Sequence, residues 1–366
     1  QTDDYRDGPQ GMNMKKIGRM LAVLALAAAG ASAQTAVMTH AELQAVTTNG
    51  TSAWVENFPF TIRGVIVNDP EEMLPPAYNP EATGTSNGGQ YQLFIQAAVP
   101  GDRGGTALYM AQMSFIAGNN YDEAGWNSEM QRVMYDGNGR KFRKGDLVEV
   151  TARKALFYNG KLNINKAHRT TTSNNFDVAL VKANVGVPQA EGISLEDLKN
   201  ADNSAIFDAT RATGGEYYQG MRVRLDGVRL SNTNGWGKTN WSDRICTVED
   251  AAGHTLAMRM PLSDLGDPPA TSTYFSATGI LNQEGSNTNG YELFVQEIGP
   301  VLSITQGAAG GVAVNFSSDY KGYVLQASDD GLGTWQDVDL TPKMMVVIED
   351  EGTVSNRIYR LIKKEE

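Results

Sequence analysis

Cysteine is nearly missing from this chain: Cys246 stands alone among 366 residues, so no intrachain disulfide can form. It sits in an alternating apolar run beside Ile245 and Val248, the setting of a core thiol rather than of a nucleophile. Histidine is almost as scarce. His40, His168 and His254 are far apart with no second imidazole or thiol at ligand spacing, which argues against zinc and leaves each as a surface or turn residue. The acids at Asp69, Glu71 and Glu72, and at Asp329 and Asp330, lack the spacing of an EF-hand and read as solvated loop groups. There is no G-x-S-x-G, H-E-x-x-H, P-loop or strand-borne G-x-G-x-x-G segment. No metal and no cofactor is expected. Long apolar runs are absent too, apart from one stretch near the start.

That stretch has three parts. Lys15, Lys16 and Arg19 supply a basic region, Met20 to Ala29 an apolar one, and Ala31-Ser32-Ala33 a small-residue cleavage site. Residues 12–33 therefore read as a cleavable signal peptide, residues 1–11 as upstream read-through, and Gln34 as the start of an exported, periplasmic or extracellular protein. The apolar part is short and rich in alanine, whereas a spanning helix needs roughly 20 strongly apolar residues. Cleavage removes four basic and three acidic residues, deepening the net charge from −11 to −12. Such a chain repels nucleic acid on average.

What is present is mostly short alternating runs punctuated by Gly, Asn and Asp, the pattern of an all-β protein with long loops. Thr39-His40-Ala41-Glu42 and Ser194-Leu195-Glu196-Asp197 each place a hydroxyl residue three positions before an acid, the signature of a capped helix start. Each precedes a strand with a central glycine, Phe60 to Val67 and Met221 to Leu230, where a bulge or bend is expected. The first unit continues through Tyr91 to Gln96, Thr106 to Met110, a helix over Asn127 to Met134, Gly145 to Ala152, and Lys161 to Asn165 after the Asn159-Gly160 turn. The second continues through Arg244 to Val248, Thr255 to Met260, Thr273 to Leu281 and Gly290 to Ile298. Two hexapeptides, Tyr91 to Gln96 and Tyr291 to Gln296, are alike but fall second in one unit and fifth in the other, and so read as convergent strand chemistry. The expected organisation is a barrel over 34–168, a connector over 169–192 with a strand at Phe176 to Lys182, a second barrel over 193–304, a linker over 305–311 and a small β-sandwich over 312–366.

Five strands with a bent, glycine-bearing first strand and a helix between the third and fourth resemble the OB-fold. The first unit is also similar to modules of exported bacterial proteins and of proteins beside extracellular nucleases, through Ile62 to Val67, Phe94-Ile95-Gln96 and Gly145 to Thr151. The second unit departs at Tyr274 to Gly279, and its assignment rests on element order. Tyr323 to Ser328, Trp335 and Tyr359-Arg360-Leu361 resemble small β-domains that end many secreted bacterial proteins. The fold class implied is mainly β: two tandem OB-like five-stranded barrels and a C-terminal β-sandwich. No accompanying nuclease domain has room in the chain.

One segment stands out from the acidic background. From Arg140 to Arg169 there are nine basic residues and two acidic ones. Phe157 and Tyr158, flanked by Lys154 and Lys161, lie in the loop between strands four and five, part of the usual OB ligand surface, and Lys166 is a further candidate ligand residue. Aromatic stacking beside basic groups is the chemistry of single-stranded nucleic acid binding. The bland alternative is that the lysines protect strand edges or meet an acidic face of the same molecule, with the aromatics packed on the barrel mouth. Trp236 and Trp241, set among Asn, Gly and Thr, suit stacking on sugar rings or simply cover a barrel end. The expected function is non-catalytic: recognition of an extracellular polymer, nucleic acid or glycan, or of an envelope protein. The alternatives are an extracellular hydrolase with a diffuse carboxylate site and a structural part of an envelope assembly.

Overall fold

The computed structural model describes residues 37–84, 87–113, 120–165, 176–301, 303–306, 312–315, 323–328, 334–338, 346–348 and 358–363. The signal-peptide pattern, Lys166, His168, Arg169 and the Asp329, Asp330 pair lie outside the described residues.

The first unit comprises β1 (Val37–Met38), α1 (His40–Leu43), β2 (Phe60–Ile66), α2 (Pro70–Met73), β3 (Gln90–Gln96), β4 (Gly105–Ala111), α3 (Glu123–Met134), β5 (Leu147–Ala152), β6 (Ala155–Tyr158), β7 (Lys161–Ile164) and β8 (Phe176–Lys182). β3 pairs antiparallel with β2 and β4, β4 runs parallel to β7, and β2 pairs antiparallel with β5. β5 and β6 are halves of one bent strand, the first bonded to β2 and the second to β7, so the ring closes through the chain itself. This is the strand order of an OB-like barrel. Alternation in β5 buries Val148, Val150 and Ala152. α3 starts at Glu123, four residues before the expected start, and is capped by Asp122, whose side chain accepts from the Gly125 amide. It turns Trp126, Met130, Val133 and Met134 into the core. The expected connector strand is β8, which extends the first barrel's sheet by pairing with β5.

The second unit follows with β9 (Glu191–Ile193), a 3-10 turn at Leu195–Asp197, α4 (Gly214–Tyr218), β10 (Arg222–Asn232), β11 (Ile245–Glu249), β12 (Thr255–Arg259), β13 (Phe275–Gln283) and β14 (Tyr291–Pro300). β10 to β11, β11 to β12, β14 to β13 and β13 to β10 are antiparallel, and β12 to β14 is parallel, a closed five-stranded ring. The lead-ins match as well. β1 and β9 each run parallel to the first barrel strand, and both expected capping boxes form, at Thr39 with Glu42 and at Ser194 with Asp197.

The two central glycines have different duties. Gly227 has φ +71° and lies in a bulge between Leu225 and Val228. At Gly64 a Cβ would come within 3.1 Å of His40 Nε2 and 2.8 Å of the Gln96 carbonyl oxygen. That space admits His40, which is fully buried rather than at the surface. Its Nε2 lies 3.0 Å from the Arg63 carbonyl, which can only accept, so Nδ1 accepts from the Thr106 hydroxyl at 2.9 Å. Burial lowers its pKa to about 4.

The tail forms two three-stranded sheets, β15 (Ser303–Gln306), β16 (Val312–Asn315) and β19 (Val346–Ile348) in one, and β17 (Tyr323–Ser328), β18 (Gln336–Asp337) and β20 (Ile358–Lys363) in the other. Thr305 and Gln306, read as the start of a linker, pair in β15 with Ala313 and Val312 of β16, so the tail begins with this strand.

Candidate functional site

The barrels are fused along the face that an OB-fold normally presents to its ligand. Phe94, Ala107, Tyr109 and Ala111 on the outer side of β3 and β4 form a buried core with Ile280 and Phe294 of the second barrel, closed by Val67, Met73 and Leu74. The two like hexapeptides thus meet, with Phe94 and Phe294 in edge contact at 5.8 Å between ring centroids. Their terminal glutamines reach across. Gln96 accepts from the Arg222 amide at 2.9 Å, and Gln296 donates to the Val67 carbonyl at 2.7 Å and to Glu72 at 2.9 Å. The similarity that sequence order made look accidental serves a shared interface, which only three-dimensional pairing reveals.

The basic segment is largely answered from within. Arg140 forms a bidentate pair with Asp146 at 2.7 and 2.8 Å, Arg153 meets Asp177 at 2.7 Å, Lys144 meets Glu72 at 3.3 Å, and Lys141 contacts Glu71. Burial alone would raise the Asp146 pKa, but the Arg140 fork and the amides of Asn184 and Arg143 hold it below the usual range. The cluster Asp69, Glu71 and Glu72 is a third capping box as well, starting α2. Lys161 lies inside the interface, bound to Glu284 at 2.6 Å. Lys154 is exposed, its ammonium 5.9 Å from the Phe58 ring centre, Phe157 packs partly against the first core, and Tyr158 is exposed at the rim. Phe157 and Tyr158 thus lie in strand β6 rather than in a loop and, as successive residues, take opposite faces of the sheet, with Tyr158 cross-strand from the buried Lys161.

The two tryptophans part company. Trp241 is held by Arg259, whose guanidinium sits 3.9 Å from the ring centre, and by the edge of Phe294 at 5.6 Å. Arg259 is itself paired bidentately with buried Glu292 at 2.9 and 2.8 Å. Arg244 is buried alongside, donating to the Met73 and Met260 carbonyls at 2.6 and 2.8 Å. Trp241 is thus an interface residue.

Trp236 instead lines a cleft of about 160 Å³ between the β10–β11 loop and the β12–β13 loop, with Lys238, Thr239, Met260, Leu262, Ser263 and Asp264. Its indole N–H donates to the Gly266 carbonyl at 2.8 Å, which fixes the ring. Asp264 is steadied by the Gly266 amide at 2.8 Å. Drug-sized ligand sites run to about 300–1,000 Å³, so this cleft fits one ring or side chain of a larger molecule. It was not foreseen as a cleft, because the half supplied by Met260 to Leu265 carries no aromatic or motif.

Among the described residues no three His, Cys, Asp or Glu side chains group as a metal site, and no helix is long and apolar enough to cross a membrane. Cys246 is buried, and burial pushes its thiol pKa up. No protein-family model matches the chain, and no curated protein matches it.

Proposed function

We propose that this chain is an exported, non-catalytic recognition protein in which the first barrel is a fixed base and the loop end of the second barrel reads one sugar unit of an extracellular glycan. The observation that carries the reading is the Trp236 cleft: an aromatic ring locked by its own N–H, an apolar floor of Met260 and Leu262, and a rim bearing Lys238, Thr239, Ser263 and Asp264. A sugar ring has an apolar C–H face that stacks on an indole and hydroxyls that donate to a carboxylate and accept from an ammonium. The same loops offer both. The nucleic-acid alternative has less support, since five of the basic residues counted for it face carboxylates of this chain.

The test is calorimetric titration of the full protein with a panel of neutral and acidic oligosaccharides. Binding that weakens about tenfold, ~1.4 kcal/mol, on Trp236→Ala and survives Tyr158→Ala supports the cleft. Binding of a single-stranded oligonucleotide at low salt, lost with Lys154→Ala and indifferent to Trp236→Ala, would move recognition to the first barrel.

A further inference from the structure

Where the barrels meet, the start of β7 and the end of β13 bring a lysine, a carboxylate and an amide into one group. Lys161 Nζ donates to Glu284 Oε2 at 2.6 Å and to the Gln283 carbonyl at 2.7 Å. The same Glu284 oxygen accepts from Asn282 Nδ2 at 3.3 Å. Lys161 and Asn282 are 5% and 1% exposed. Asn282 Oδ1 is buried with no hydrogen-bond partner. Buried amides normally engage both ends, so an amide anchored through its nitrogen alone calls for a cause.

We propose that Lys161 and Asn282 form an intramolecular isopeptide bond joining the two barrels, with Glu284 moving the protons. Each requirement of the reaction has a residue in place. An amine attacks only when neutral, and Glu284, in contact with Lys161 Nζ at 2.6 Å, is the carboxylate placed to take its proton. A general acid–base must reach both the nucleophile and the leaving group, and one oxygen of Glu284 contacts both. Folding, by docking the barrels, brings Lys161 and Asn282 onto the same carboxylate oxygen and so replaces a bimolecular encounter.

The reaction balances without an oxidant. Lys161 gives one proton to Glu284, and its free nitrogen bonds to Asn282 Cγ. The bond from Cγ to Nδ2 breaks as Glu284 delivers the proton to the departing nitrogen. The second proton lost by the lysine nitrogen follows the same route, so an ammonium plus a primary amide become a secondary amide plus an ammonium ion. The neighbouring carboxylate Glu292 is committed to Arg259 and does not compete for the lysine. In a chain whose one cysteine permits no disulfide, such a bond would fasten two modules otherwise held by packing and hydrogen bonds.

Intact mass spectrometry of the folded, full-length protein after incubation at neutral pH tests this directly. The expected mass, taken against the observed N-terminus, is lower than the sequence by one ammonia. A protease digest should contain one branched peptide joining Lys161 to Asn282. Lys161→Arg, which retains the cation, and Glu284→Gln should both return the full mass while folded by circular dichroism. Wild-type protein at full mass after prolonged incubation overturns the proposal, as does a branch mapped to other residues. An ammonia loss that persists in Glu284→Gln overturns the proton-carrying role. Because the wild-type mass is read by itself, misfolding of a variant does not blur the result.

Discussion

The two barrels share a strand order, a capped lead-in turn and a glycine in the first strand, and differ in what joins their third and fourth strands. In the first barrel that span carries α3, which turns Trp126 into the core and anchors its N–H on the Pro76 carbonyl at 2.7 Å. In the second, the span after Met260 carries Pro261, Pro268 and Pro269 and forms no helix, since proline removes donors and fixes φ. A plugged barrel is a solid body; an unplugged one keeps loops that face solvent and can shape a cleft. The same framework thus carries a helix-filled half and a half whose loops form a cleft.

The largest expected difference between the halves follows from that plug. Trp126→Ala removes a fully buried ring from the first core and should cost about 3–5 kcal/mol. Leu265→Ala, at the partly exposed edge of the cleft, should cost less than about 1 kcal/mol. Denaturant titrations of both variants measure this, and equal losses would show that the second barrel relies on its loop as much as the first on its helix.

A smaller effect concerns the seam between the barrels. Gly105 at the start of β4 donates its N–H to the Gln219 carbonyl at 3.0 Å, and a Cβ on it would fall 2.1 Å from the Gly220 carbonyl oxygen. Neither backbone can give way without parting the barrels. Gly105→Ala should therefore cost about 1–3 kcal/mol as overpacking. Loss of Phe94–Phe294 nuclear Overhauser contacts in the folded variant would report the parting. Unchanged stability and contacts would mean that the interface is compliant.

Much of this framework was legible from local rules. Alternation placed the strands of both barrels, hydroxyl-to-acid spacing found the lead-in turns, and the Asn159-Gly160 pair found the hairpin between β6 and β7. The start of α3 was less legible, because Gly125 sits in its first turn and weakens a propensity that Asp122 restores by capping. The interface was illegible for a different reason. Phe94 and Phe294 are outward residues of clean strands, and nothing local says whether an outward aromatic meets solvent, a ligand or another barrel. For the basic segment an acidic face of the same molecule was one of the readings, but which acids supply it was illegible, since Glu71, Glu72, Asp177 and Glu284 lie outside it in sequence.

The smallest effect is the most diagnostic, because the units should respond to acid with opposite sign. Asp146 in the first barrel is held below the ordinary carboxylate range: burial would raise it, but Arg140 and two backbone amides more than offset that. A depressed folded pKa contributes stability above the unfolded value, about pH 4, that is lost as pH falls through the folded one. Glu216, in the lead-in to the second barrel, is raised instead. Burial dominates there, over a hydrogen bond from Tyr291 at 2.6 Å and the Arg211 guanidinium at 3.0 Å. Its contribution is present below the unfolded value and lost as pH rises through the raised one. Asp146→Asn should therefore be most damaging at neutral pH, with its deficit against wild type shrinking in acid. Glu216→Gln should show a deficit that grows in acid and shrinks toward neutrality. Urea titrations across that range for the two variants test the contrast, and deficits that change with pH in the same direction would mean that both carboxylates are governed by their cations, not by the difference in burial.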